Sequence, residues 1–165
     1  PEPAPEPEPK AGEQIVLPDQ IEFEFDEARI KQTPKTLETL EKLAGMMKQH
    51  THITKLRIEG HTDNVGRKKH NDKLSKARAD AVAKWLAQHE IDEGRLATVG
   101  YGAQRPVRPN DSDLNRAANR RTEYYVEEID GKRVQGDGKS FETAPEARPQ
   151  KVAAGTTSGG KSGQN

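Results

Sequence analysis

Residues 56–66 read LRIEGHTDNVG and residues 71–90 read NDKLSKARADAVAKWLAQHE. In the first stretch Leu56 and Ile58 alternate with Arg57 and Glu59, the period of two that sets one face of a strand against a core. Gly60 and Gly66 bracket the residues that follow, so a turn-forming loop is expected at the end of that strand. In the second stretch Leu74, Ala77, Ala81, Val82, Trp85 and Leu86 recur at helical spacing, which predicts a helix from about Asn71 to Glu90. A strand, a glycine-bracketed loop and a long amphipathic helix in that order belong to a layered α/β structure.

The flanking sequence continues the pattern. Upstream, Ile21, Phe23 and Phe25 alternate with Glu22 and Glu24 as a first strand, and Thr33-Pro34 supplies the N-cap and first turn of a helix carrying Leu37, Leu40, Ala44 and Met47. Downstream, Leu96 to Tyr101 reads as a third strand, Pro106 and Pro109 break a loop, and a short helical turn is expected over Asp113 to Ala118. Thr122, Tyr124 and Val126 alternate in a last strand. The expected fold is α/β, a two-layer α+β sandwich in which helices cover one face of a small mixed sheet.

Outside this region the composition changes. Residues 1–14 begin PEPAPEPEPK, which favours an extended spacer, and residues 131–165 are rich in Gly, Ser, Thr and Lys, too polar to offset the entropy of ordering. The domain is therefore expected over 15–130. Lys plus Arg and Asp plus Glu number 27 each, so the overall charge points to neither nucleic acid nor an anionic membrane surface as partner. No cysteine is present, which removes disulfides and thiolate metal sites, and no apolar run reaches the ~20 residues that span a bilayer. With Pro1 where an initiator methionine would stand, a fragment or mature piece of a longer protein is expected.

One charge sits where a helix should be apolar. With Leu74 at zero and ideal helical geometry, Trp85 falls at about 20°, Arg78 at about 40° and Asn71 at about 60°. An arginine on that stripe must snorkel to water or meet an anion. Asp63, in the loop leading to the same helix, is within reach along the chain. The residues alone leave two arrangements open. Asp63 and Arg78 neutralise each other, or they stand apart as the two ends of a site for a zwitterion, with the carboxylate receiving an ammonium and the guanidinium a carboxylate.

Four blocks in order, GHTDNVG at 60–66, NDKLSKARADAV at 71–82, VGYGAQRP at 99–106 and NRRTEYYV at 119–126, together with FEFDEARI at 23–30, resemble OmpA-like C-terminal domains. The resemblance covers about residues 19–129. It implies a βαβαββ-type fold at the periplasmic face of the outer membrane, with no catalysis and no cofactor. It also implies reversible binding of the meso-diaminopimelate of peptidoglycan stem peptides, in a protein whose membrane anchor lies outside this stretch. Carried onto this sequence, the ammonium-binding aspartate is Asp63 and the carboxylate-binding arginine Arg78, with Asn71 and Arg120 in the pocket and Thr62, Val65, Phe25 and Asp26 lining it. Thr122 stands where an aliphatic residue is common and Val65 where threonine is frequent; neither change removes a charge.

Other chemistry fits less well. The five histidines, at 50, 52, 61, 70 and 89, show no catalytic spacing, and His61 with Asp63 lacks a completing metal-ligand set. The glycine-bracketed loop is not a GxxxxGK[ST] phosphate loop, and Arg116, Arg120 and Arg121 make only a small basic cluster on a neutral chain. The competing reading is a periplasmic protein-interaction module of an envelope complex, in which any wall pocket is secondary.

Overall fold

The computed structural model describes residue 10 and residues 12–133. The expected acidic spacer and polar tail fall for the most part outside them. In chain order the elements are β1 (Gln14–Ile15), α1 (Pro34–Gln49), β2 (Ile53–His61), α2 (Lys68–Gln88), a 3-10 turn at Glu93–Arg95, β3 (Leu96–Gly100), α3 (Asp113–Asn119), β4 (Arg121–Ile129) and β5 (Lys132–Arg133). Sheet pairing includes residues on both sides of 15–130, since Gln14 pairs with Tyr125 and Arg133 with Glu128.

The sheet is mixed. Its order is β1-β4-β2-β3, with β5 also on β4; β2 runs parallel to β3 and antiparallel to β4. The parallel pair needs a crossover, and α2 supplies it. Leu56 and Ile58 of β2 and Tyr124 and Val126 of β4 point into the core, where Leu40, Leu43 and Met47 of α1 and Val82 and Leu86 of α2 close over them. Thr33 caps α1 as expected, its hydroxyl accepting from Thr36 N, with Pro34 opening the first turn.

Two expectations fail in detail. Residues 21–25 form no sheet strand: Phe23 bridges Ile30, Glu24 N donates to Arg29 O and Lys31 N to Glu22 O, so the segment folds back on itself around Asp26 at φ 55°. Its alternation is real, with Ile21 buried and Phe23 partly so, but Phe25 is 94% exposed at the turn. The strand that reaches the sheet from this side is the short β1. In α2 the buried residues are Asn71, Ser75, Arg78, Ala79, Val82 and Leu86, while Leu74, Ala77, Ala81 and Trp85 are only partly covered. The buried face is turned toward Ser75 because the helix backbone lies directly on two strand glycines. A Cβ on Gly60 would stand 2.0 Å from Ser75 O, and one on Gly100 would stand 2.3 Å from Lys76 N. A small-residue contact of this kind carries no hydrophobic signal, so apolar periodicity misplaces the face.

The sheet face away from α2 is polar. Arg57, Glu59 and His61 alternate with the core residues of β2 and lie beside Arg121, Glu123 and Glu127 of β4, all of them part- or fully buried. Arg57 pairs with Glu59 at 3.2 Å, Arg121 with Glu123 at 2.6 Å, and Arg57 donates to Tyr101 Oη. Burial raises Glu59 to about 8 in spite of Arg57, and burial followed by the charges of Arg121 and Arg105 holds His61 well below its usual range.

Candidate ligand-binding cleft

The loop after β2 is held by its own residues. Thr62 N donates to Gly102 O and its hydroxyl to Asp63 O, while Val65 N donates to Asp63 Oδ1 at 2.9 Å. Asn71, buried in the first turns of α2, donates through Nδ2 to Val65 O at 3.0 Å and to Asp63 O at 3.5 Å. Gly66 closes the loop at φ 96°, a conformation glycine adopts without strain. Asp63 is thereby fixed with 8% of its surface exposed.

Its partner is not Arg78. Arg120, the C-cap residue of α3, donates Nη1 to Asp63 Oδ2 at 2.7 Å, with its own side chain 47% exposed. Asn119, fully buried beside it, sets that position by accepting from Val107 N and Arg108 N and donating to Arg108 O and Asn110 Oδ1. Sequence reasoning does not find Asn119; an asparagine just before the NRR arginines is its only signal.

Arg78 is 9% exposed. It is held from behind by backbone: Nε donates to Glu27 O at 2.9 Å, Nη2 to Glu24 O at 3.4 Å, and its guanidinium carbon lies 5.1 Å from the centre of the Phe23 ring. Among the described residues no carboxylate bonds it. Burial lowers its pKa from the ordinary arginine value, Asp26 and Asp63 pull the other way and Arg120 adds to the lowering. Next to it Asp26 meets His70 at 2.7 Å, joining the 23–30 turn to α2.

These side chains surround one cleft of about 560 Å³. All eight residues singled out from the sequence, Asp63, Arg78, Asn71, Arg120, Thr62, Val65, Phe25 and Asp26, line it. So do Glu22, Phe23, Lys31, Leu74 and Ala117, which the sequence does not mark for the site. Chemically the cleft offers a carboxylate already shared with one guanidinium and, apart from it, a second guanidinium that no anion bonds among the described residues.

The described residues also contain a His/Glu cluster that could hold a metal, Glu59, His61 and Glu123, with ligand atoms within 4.8 Å of one another. It lies on the polar sheet face, away from Asp63, which it does not include. Arg57 and Arg121 already hold its two carboxylates, so a cation would have to displace guanidinium partners.

The fold is a mixed sheet with helices packed against it and a charged cleft beyond the end of β2. The chain belongs to the OmpA family, whose model it matches over residues 22–120. It is 38% identical over 120 residues to outer membrane porin F of Pseudomonas aeruginosa, covering 72% of this chain and 33% of the porin. It is 33% identical over 119 residues to the probable lipoprotein YiaD of Escherichia coli, covering 71% of this chain and 53% of that protein. The chain spans about a third of the length of the porins it matches. Among solved structures, the cell wall anchor of the T6SS from Pseudomonas aeruginosa superposes with TM-score 0.55 at 30% identity, covering 63% of this chain and 73% of that one. The peptidoglycan-associated lipoprotein of Burkholderia pseudomallei shares the fold at TM-score 0.57 and 24% identity, covering 65% of this chain and 87% of that one.

Proposed function

We propose that the cleft binds the meso-diaminopimelate of peptidoglycan stem peptides and so anchors an outer-membrane or envelope protein to the cell wall. The relatives are named as outer-membrane porins and lipoproteins, and the domain works at the periplasmic face of that membrane. The free end of diaminopimelate is an amino acid, a carboxylate beside an ammonium. Arg78 takes the carboxylate and Asp63 the ammonium, which replaces or joins Arg120 at Oδ2. Once displaced, Arg120 is free to add a second contact to the carboxylate. Asn71 and Thr62 keep the Asp63 loop in shape, while Phe25, Asp26 and Val65 form walls. Binding is reversible and no bond in the ligand is made or broken.

The observation that carries the reading is the state of Arg78: nearly buried, oriented by two backbone carbonyls, and bonded directly to no carboxylate among the described residues. A desolvated guanidinium gains from a carboxylate far more than an exposed one does, because the cost of burying the charge is already met by the fold. A single small site of this kind should bind monomeric ligand in the range of about −4 to −8 kcal/mol, micromolar to millimolar. Firm attachment then comes from many sites engaging one polymer. Calorimetry with a diaminopimelate-containing tripeptide tests the assignment: Arg78→Ala removes binding, and unchanged affinity in that variant overturns it. The lysine counterpart, which lacks the second carboxylate, should bind at least about tenfold more weakly.

A further inference from the structure

Each charged clamp of the cleft also holds an apolar residue out at its mouth. The Asp63 carboxylate that would meet an ammonium fixes Val65 through Oδ1, and Asn71 fixes the same residue through its carbonyl. Arg78 binds the carbonyls of Glu24 and Glu27, the residues either side of the Phe25-Asp26 turn, which is closed further by Glu27 N to Glu24 O. The result is a phenylalanine 94% exposed and a valine 64% exposed, both lining the cleft, the valine hydrogen-bonded at its own N and O and the phenylalanine in a turn held at Glu24 and Glu27. Leu114, 81% exposed, stands one turn before Ala117 of the lining on α3. Where the backbone beside a binding cleft is held by hydrogen bonds, covering the apolar side chains it displays costs side-chain freedom but little backbone entropy.

We infer that Phe25 and Val65 form an apolar rim that selects diaminopimelate carried in an alanine-flanked peptide over free diaminopimelate. This rests on the wall-peptide reading above. Free diaminopimelate is charged at both ends. With one end on Asp63 and Arg78, the other brings an ammonium and a carboxylate to the rim, where apolar surface does nothing to offset their lost water. In a stem peptide those two groups are amides, and the neighbouring alanine offers a methyl group to the same surface. The rim therefore gains buried apolar area from the peptide and loses solvation with the free amino acid.

The test is calorimetry on the full chain with two probes, free meso-diaminopimelate and a peptide with alanine next to the diaminopimelate. The native protein should prefer the peptide by about tenfold, and Phe25→Ser and Val65→Thr should each move that ratio toward unity. Both side chains are exposed, so neither change disturbs the core, and the near-isosteric Val65→Thr keeps the shape while changing polarity. Equal affinity of the native protein for the two probes, or a preference that survives in both variants, overturns the rim; the second result is the one expected if these residues serve a protein partner instead. If the native protein binds neither probe, or Arg78→Ala changes neither affinity, the wall-peptide reading fails and the rim falls with it.

Discussion

At the scale of single residues, Arg78 shows both what a sequence discloses and where it stops. Its place beside the apolar stripe of the helix is legible from spacing alone, and it is indeed buried, on a face it shares with Asn71 and Ser75. Its partners are not legible. They are backbone carbonyls more than 50 residues upstream, and any side chain can carry a carbonyl. Asp63 likewise finds Arg120, 57 positions away, instead of the nearer Arg78. The two clamps should therefore respond differently to mutation. Arg78→Ala loses charge-assisted bonds to the 23–30 turn but also relieves a desolvated charge, so thermal denaturation should show a net loss of only about 1 kcal/mol while binding disappears. Asp63→Asn should cost binding at least about tenfold but stability by less than ~1 kcal/mol, since its partner Arg120 is half in water. A large loss of stability in Asp63→Asn would mean that the ion pair is chiefly structural.

At the scale of elements, capping and turn chemistry are local and readable, as Thr33-Pro34 opening α1 illustrates. How α2 lies on the sheet is not, because that contact is set by the absence of side chains at Gly60 and Gly100. Gly60→Ala drives a methyl into Ser75 backbone, so urea denaturation should show a loss of about 3 kcal/mol or failure to fold. Gly45 gives the opposite case. It is exposed in the interior of α1, and a methyl group added there would meet nothing within 4 Å, so Gly45→Ala should stabilise the protein by about 0.5–1 kcal/mol. The misplaced first strand has a similar cause. The alternation holds for Ile21, Glu22 and Phe23 but not for Phe25, and the antiparallel partner of Phe23 is the nearby Ile30 and not the sheet, a pairing that short-range alternation does not specify.

At the scale of the whole molecule, the buried polar face of the sheet should make stability depend on pH. Glu59 has a folded value of about 8 against an ordinary 4.5, so it binds its proton more tightly when folded, and its contribution is lost as pH rises between those values. His61 is shifted the other way, below 6.5, and its contribution is lost as pH falls below that point. The two slopes oppose one another from about 4.5 to 6.5 and leave a net decline from about 6.5 to 8. Chemical denaturation across this range should show the decline in the native protein and its absence in Glu59→Gln; an unchanged profile in that variant would place the titration elsewhere. Which segments become helices, where the chain turns after β2, and which charged residue occupies an apolar face were all written in the order of residues, because each depends on neighbours a few positions apart. That Arg120 takes Asp63, that Arg78 bonds backbone carbonyls and no carboxylate among the described residues, and that Phe25 and Val65 stand exposed on one cleft emerged only on folding. Those outcomes depend on which distant segments reach the same point in space, and a hydrogen bond to a carbonyl or a close approach over glycine leaves no distinctive side chain to announce it.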